Sequence, residues 1–103
     1  MSSLSEINFN YNRAVRQAGQ LEEVAQNLTR AASNDMESIF SEISRAWQSD
    51  SAPRYIQKGQ KVQTDIGKIA KNLREIAKAI RTIAQRVRDA ELEAWRIANE
   101  RKS

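Results

Sequence analysis

The second half of the chain carries apolar or small residues at steps that alternate between three and four. They are Gly59, Val62, Ile66, Ile69, Leu73, Ile76, Ile80, Ile83, Val87, Ala90, Ala94 and Ile97. Such stepping keeps side chains on one face of a helix and is typical of a heptad repeat. The pattern predicts a long helix over about residues 53–100.

A second apolar line accompanies the first at seven-residue spacing and includes Ile56, Ala70, Ala77 and Ala84. It widens the apolar stripe beyond what one neighbouring helix covers. We therefore expect this helix to pack against two neighbours.

The first half predicts another helix, over about residues 8–47. Around Ala32 two four-residue steps follow one another, a stutter that shifts the apolar face. The seam predicted for the hairpin and its dimer comprises Leu21, Leu28, Ile39, Ile43, Val62, Ile66, Ile69, Leu73, Ile76, Ile80, Ile83 and Val87.

A short polar break, residues 48–52, separates the two helical patterns, and Pro53 follows it in a position that suits the first turn of a helix. The sequence therefore predicts an all-α fold, a single antiparallel two-helix hairpin over residues 1–103. Each helix of a lone hairpin covers only one side of its neighbour. We accordingly expect two hairpins to assemble into a four-helix bundle dimer.

The composition excludes several classes of function. The 103 residues include no Cys and no His, which removes thiolate chemistry and the commonest general base and metal ligand. No nucleophile–base pair or glycine-rich phosphate loop is present. We expect a protein that is not an enzyme, with no metal, cofactor or small-molecule substrate. The N-terminal residues do not have the pattern of a secretory signal peptide, and no apolar run approaches the roughly 20 residues of a membrane span.

Charge is distributed unevenly along the chain. Residues 1–53 have a net charge of −3, and residues 54–103 have +7. A basic face is predicted on the second helix, away from the seam: Arg54, Lys61, Lys68, Lys71, Arg74, Lys78, Arg81 and Arg88. Three interpretations are open: a solvated outer face balanced by the acidic first helix, a surface for an acidic protein, or a phosphate-binding surface.

The residues around the break carry a more specific signal. After Trp47, small residues follow at the second, fourth and fifth places, Ser49, Ser51 and Ala52, and Tyr55 is at the eighth. This spacing resembles the turn of the WXG family of helical hairpins, which bacteria export by type VII secretion. Ser49 stands where that family usually has Gly, and Tyr55 where it usually has Phe.

The resemblance implies a small non-enzymatic type VII secretion substrate, or a co-secreted targeting partner of a larger exported effector. It implies folding in the cytoplasm, then secretion or display at the cell surface. The expected partners are a second hairpin, as a homodimer or a heterodimer with the N-terminal domain of an effector, and the secretion ATPase. Trp47, Ser49, Ser51, Ala52 and Tyr55 would form the export motif; Trp47 and Tyr55 are also interpreted as a plug for the open end of the hairpin.

A second candidate export patch lies near the C-terminus and comprises Val87, Glu91, Leu92 and Trp95. Leu92 and Trp95 lie off the predicted seam, and Glu91 interrupts the second apolar line. The alternative for Trp95 is packing beneath an N-terminal arm that contains Leu4, Ile7 and Phe9. Family members often carry Tyr followed four residues later by an acid, whereas here Asn99 follows Trp95.

The alternative function is a basic coiled-coil module that binds nucleic acid or an anionic surface. It predicts binding that weakens steeply with salt and is lost when Lys68, Lys71, Arg74, Lys78 and Arg81 are neutralised, while Trp47→Ala has little effect. The export function predicts the reverse. Measuring secretion and nucleic-acid binding for both kinds of variant separates the two.

Overall fold

The computed structural model describes residues 3–47 and 50–102, and these residues are almost entirely helical. Helix α1 (Leu4–Arg30) passes through a π-helical turn (Ala31–Asp35) into α2 (Met36–Ala46), and α3 (Ser51–Lys102) forms the second half. The predicted all-α helical hairpin is confirmed. The chain divides into two compact units, unit 1 (Met1–Leu21 with Glu75–Ser103) and unit 2 (Glu22–Arg74).

Helix α1 begins at Leu4 rather than near Asn8 because Ser3 caps it. The Glu6 backbone N–H donates to Ser3 Oγ at 3.1 Å, which satisfies one of the free N–H groups at a helix start. The spacing from Ser3 to Glu6 is that of a capping box. This signal for the helix start is present in the sequence, but it cannot be found from the apolar periodicity alone. After the polar break between the two halves, α3 begins at Ser51. Pro53 therefore lies within the first turn of α3, where no intrahelical N–H bond is lost.

The predicted stutter coincides with the π turn. There the Met36 backbone N–H donates to the Ala31 carbonyl, a five-residue reach that accommodates one extra residue per turn. Consecutive four-residue steps can then stay on one face, and Ala32 and Phe40 are both buried. The shift leaves Ile39 52% exposed. Ile39 was assigned to the seam, but Phe40 occupies the hairpin interface beside it.

Within unit 2, the first helical half packs antiparallel on α3. Gln63 Nε2 donates to the Ala32 carbonyl at 2.6 Å and to Glu37 Oε1 at 2.9 Å, so a side chain from α3 satisfies a carbonyl inside the π turn. Further along, Arg74 donates to Thr29 Oγ1 at 3.0 Å. Among the described residues of this unit, the buried ones are small apart from Phe40: Ala25, Ala32, Phe40, Ala52 and Ala70.

Within unit 1, α1 likewise packs against α3. Ile7, Ala18 and Ala77 are buried. The Tyr11 hydroxyl donates to Gln85 Oε1 at 3.2 Å, and the Arg88 guanidinium lies 4.0 Å from the centre of the Tyr11 ring. Arg88 was predicted on the outer basic face, but it is partly buried, because the aromatic face of Tyr11 attracts the cation.

The two apolar lines of α3 differ in burial. Ala70 and Ala77, from the second line, are almost fully buried in the hairpin. Ile66, Leu73 and Ile80 are partly buried beside them. The remaining α3 residues of the predicted seam are about half exposed: Val62, Ile69, Ile76, Ile83 and Val87. The hairpin interface therefore uses the small residues and leaves a row of large apolar side chains open.

Gly59 and Gly67 offer a matched test of the packing in unit 2. A Cβ on Gly59 would lie 2.8 Å from Cζ of the buried Phe40 ring, whereas a Cβ on Gly67 would meet no atom within 4 Å outside the neighbouring backbone of its own helix. Helix propensity alone favours Ala over Gly by about 1 kcal/mol. We expect Gly67→Ala to gain that amount, and Gly59→Ala to be less stable than Gly67→Ala by about 1–3 kcal/mol because of overpacking.

The measurement is the free energy of urea unfolding at one fixed protein concentration. Adding Phe40→Leu to Gly59→Ala should recover much of the loss, since the ring is the obstacle. Equal stabilisation by the two glycine substitutions would show that the Phe40 ring does not occupy the space beside Gly59.

Candidate functional site

The candidate site lies at the turn between α2 and α3, in unit 2. Helix α2 ends at Ala46, and Trp47 is extended, with φ −104° and ψ 102°. The Trp47 backbone N–H still donates to the Ile43 carbonyl at 2.9 Å, which ties the start of the turn to the last helical turn. Tyr55 lies in the second turn of α3. The end of α2 therefore anchors the backbone of Trp47, and helix α3 holds Tyr55.

The rings of Trp47 and Tyr55 contact each other edge to face. Their centroids are 5.3 Å apart and their planes are at 90°, a favoured geometry for aromatic pairs. Even so, Trp47 is 46% exposed and Tyr55 is 55% exposed. The pair is preorganised, and about half of its surface is available to another molecule.

The small residues of the motif differ in their surroundings. Ala52 is buried at 4% exposure, so its surroundings leave little room for a larger side chain. Ser51 is exposed and is the first residue of α3. Ser49 lies outside the described residues.

Two cations accompany Tyr55. Ser51, Arg54, Tyr55 and Lys58 line a shallow polar depression of about 180 Å³. The predicted motif contains neither cation, although the three-residue spacings that bring Arg54 next to Ser51, and Lys58 next to Tyr55, are visible in the sequence. The site thus combines an aromatic pair with adjacent positive charge.

The residues of the second predicted patch differ in their surroundings. Val87, 49% exposed, and the partly buried Glu91 line an apolar groove of about 280 Å³ in unit 1, together with Tyr11 and Arg88. Leu92 and Trp95 are partly buried and do not line this groove. Of the four residues, Val87 and Glu91 are the two that line the groove.

Polar groups around Trp95 bond within α3. Asn99 Nδ2 donates to the Trp95 carbonyl at 3.2 Å. Arg96 forms ion pairs with Glu93 and Glu100. The hydrogen bond from Arg96 holds the pKa of Glu93 below its usual value, and the same bond raises the pKa of Arg96. Of the proposed N-terminal arm, Ile7 is buried, while Leu4 is 38% and Phe9 59% exposed.

Comparison with protein families decides the relationship suggested by the turn. The model of the WXG100 family, described as proteins of 100 residues with WXG, matches residues 6–92. The matched span includes Trp47, Tyr55 and most of both helical halves. The chain belongs to the WXG100 family.

WXG100 proteins are small, non-enzymatic, secreted helical proteins of the type VII kind, and they typically pair as dimers of helical hairpins. Comparison with curated proteins and with solved structures gives no match. In residues 3–47 and 50–102, no helix has the length and apolar character needed to cross a membrane.

The aromatic contact at the WXG100 turn can be tested by fluorescence. The chain has two Trp residues, so Trp95→Phe leaves Trp47 as the reporter. In that background, we expect Tyr55→Ala to make Trp47 more accessible to acrylamide and to lower the free energy of unfolding by about 0.5–1.5 kcal/mol.

Tyr55→Phe is the matched control, since it keeps the ring and should keep the quenching of its parent. If the Ala variant is quenched no more than the Phe variant, Tyr55 does not shield Trp47.

Proposed function

We propose that this WXG100 protein is a co-secreted partner in type VII export, pairing with a second helical hairpin and presenting its turn to the secretion ATPase. The observation that carries the proposal is the half-exposed edge-to-face pair of Trp47 and Tyr55 at that turn. A second hairpin supplied by the N-terminal domain of a larger effector would make this protein its targeting subunit.

The aromatic pair has the properties of a binding hot spot. Trp and Tyr contribute large contact areas with few rotatable bonds, and they are enriched among residues that dominate interface energies. Here each ring already restricts the other, so little side-chain entropy remains to be lost on binding. The neighbouring Arg54 and Lys58 favour a partner surface that carries acidic groups.

Export recognition is proposed to have two parts. The turn motif, Trp47, Ser49, Ser51, Ala52 and Tyr55, supplies one part. The C-terminal patch, Val87, Glu91, Leu92 and Trp95, supplies the other. Since Asn99 replaces the acid that commonly follows the tail aromatic, the paired hairpin is proposed to complete the second part.

Pairing with another hairpin is supported by the large apolar side chains left open on α3. Four aliphatic side chains, which are usually buried, are each 50–59% exposed: Val62, Ile69, Ile76 and Ile83. In unit 1, Ile83 also lines the apolar groove. Large apolar side chains exposed in this way are typical of protein interfaces.

The decisive experiment measures export. Trp47→Ala is expected to abolish or strongly reduce secretion while the protein still accumulates in the cytoplasm, because the half-exposed ring contributes more to recognition than to the core. Phe9→Ala is the matched control, since Phe9 is an even more exposed aromatic residue at 59% and lies outside the motif. It should be secreted normally.

Circular dichroism of both purified variants checks that the hairpin still folds. Normal secretion of Trp47→Ala, and also of Ser49→Leu, would refute recognition through the turn.

A further inference from the structure

Helix α2 carries two overlapping sets of residues, and the spacing of each set suits packing against α3. The first set is Met36, Phe40, Ile43 and Trp47, and the second is Met36, Ile39, Ile43 and Ala46. Both sets step alternately by three and four, which keeps their side chains on one face of a helix. The structure uses the first set, because Phe40 is buried whereas Ile39 is 52% exposed.

The second set continues a repeat that begins before the π turn. Ala25 and Ala32 are seven residues apart and both are buried. Ile39 and Ala46 extend the repeat at the same spacing. In an uninterrupted α-helix, Ile39 would therefore follow Ala32 into the interface with α3. The π turn accommodates one extra residue, and for this reason Phe40 is buried instead.

Two separate contacts favour the arrangement with the π turn. Gln63 Nε2 donates to the Ala32 carbonyl within the turn at 2.6 Å. The Phe40 ring lies against Gly59, where the absence of a Cβ leaves room for it. A single substitution can remove either contact. The choice between the two sets of residues therefore depends on few interactions.

We propose that α2 has a second register, in which the π turn becomes an ordinary α-helical turn and Ile39 replaces Phe40 against α3. A shift by one residue turns α2 by about 100° and moves it about 1.5 Å along its axis. The Trp47 backbone is hydrogen-bonded to the Ile43 carbonyl, so Trp47 moves with α2. Its ring then leaves the ring of Tyr55, which it contacts edge to face in the first register.

The second register gives α2 a regulatory role at the turn. This consequence rests on the proposed function, in which the pair of Trp47 and Tyr55 is the surface presented for export. A partner that binds the assembled pair binds only the first register, so it stabilises that register by its differential affinity. Conversely, a shift of α2 removes the recognition surface while the hairpin stays folded.

A double-mutant cycle tests whether Ile39 can replace Phe40. In the parent, Ile39→Asp changes an exposed side chain and should alter the equilibrium constant of urea unfolding by less than about threefold. Phe40→Asp should shift α2, so that Ile39 is buried and the new carboxylate reaches solvent. In that background Ile39→Asp should raise the unfolding constant by at least about tenfold, because either register then buries a carboxylate.

Ser41→Asp is the matched control for the cycle. Ser41 is exposed, and its substitution also places a second carboxylate next to residue 40. It should have the same small effect in the parent and in Phe40→Asp. All unfolding constants are measured at one fixed protein concentration.

Fluorine NMR observes the two registers directly. The chain has two Phe residues, so Phe9→Leu leaves Phe40 as the single site for 4-fluorophenylalanine. We expect a major population with the ring against α3 and a minor one with the ring exposed, seen as two resonances or by relaxation dispersion. Gln63→Leu should raise the ratio of minor to major roughly fivefold, because it removes the hydrogen bond to the π turn. Arg74→Met removes the hydrogen bond to Thr29 outside the π turn and should leave the ratio unchanged.

The link between the register and the turn is measured with Trp47 fluorescence. In the Trp95→Phe background, Phe40→Asp should raise acrylamide quenching of Trp47 to the level of Tyr55→Ala, since both changes remove the aromatic contact. Phe40→Leu keeps an apolar side chain in the first register and should retain the quenching of its parent.

Equal effects of Ile39→Asp in the two backgrounds would overturn the proposal. So would a single Phe40 population in both the parent and Gln63→Leu, unchanged quenching in Phe40→Asp, or a loss of helicity in Phe40→Asp by circular dichroism. These measurements do not involve secretion. A single register with export that still depends on Trp47 would leave the proposed function standing, whereas two registers with export independent of Trp47 would refute the proposed function alone.

Discussion

The hairpin depends on close contact through alanine. Six alanines are buried among the residues that the structure describes, Ala18, Ala25, Ala32, Ala52, Ala70 and Ala77, and small side chains allow two helices to approach closely. A buried methyl group contributes about 0.8 kcal/mol, against roughly 1.5–3 kcal/mol for a whole aliphatic side chain. Each buried residue of the hairpin interface therefore contributes little to the free energy of folding. The larger aliphatic side chains of α3 stay exposed and can contact another molecule.

The π turn lets the first half of the chain keep its apolar residues in this interface although their spacing shifts by one residue. One additional residue between Ala25 and Phe40 would rotate an ordinary α-helix away from α3, but the wider turn absorbs it. Gln63 satisfies a carbonyl within the turn, and Phe40 then meets the backbone at Gly59. Beyond the turn the buried residues thus change from Ala25 and Ala32 to Phe40, whose ring lies against Gly59, and Ile39 is left 52% exposed.

The hairpin and the location of its turn follow from the sequence because three- and four-residue steps and a polar break have few alternative explanations. Which apolar line faces which neighbour does not follow from spacing, since both lines repeat every seven residues. Side-chain size contains that information: the alanine line is internal. The exchange of Ile39 for Phe40 depends on a single π turn, and the burial of Arg88 depends on the Tyr11 ring across the interface. The periodicity of apolar residues along one helix predicts neither of these two features.

Separate residues serve separate tasks in this chain. Alanine and Phe40 are buried between the helices, Val62, Ile69, Ile76 and Ile83 are 50–59% exposed on α3, and Trp47 with Tyr55 remains about half exposed at the turn. A ring that is half in solvent contributes only part of its area to folding, so stability alone does not explain an exposed aromatic pair with defined geometry. The division also means that a substitution of an exposed residue on one surface changes the other two little. In such a protein, loss of export without loss of helicity points to recognition at the turn.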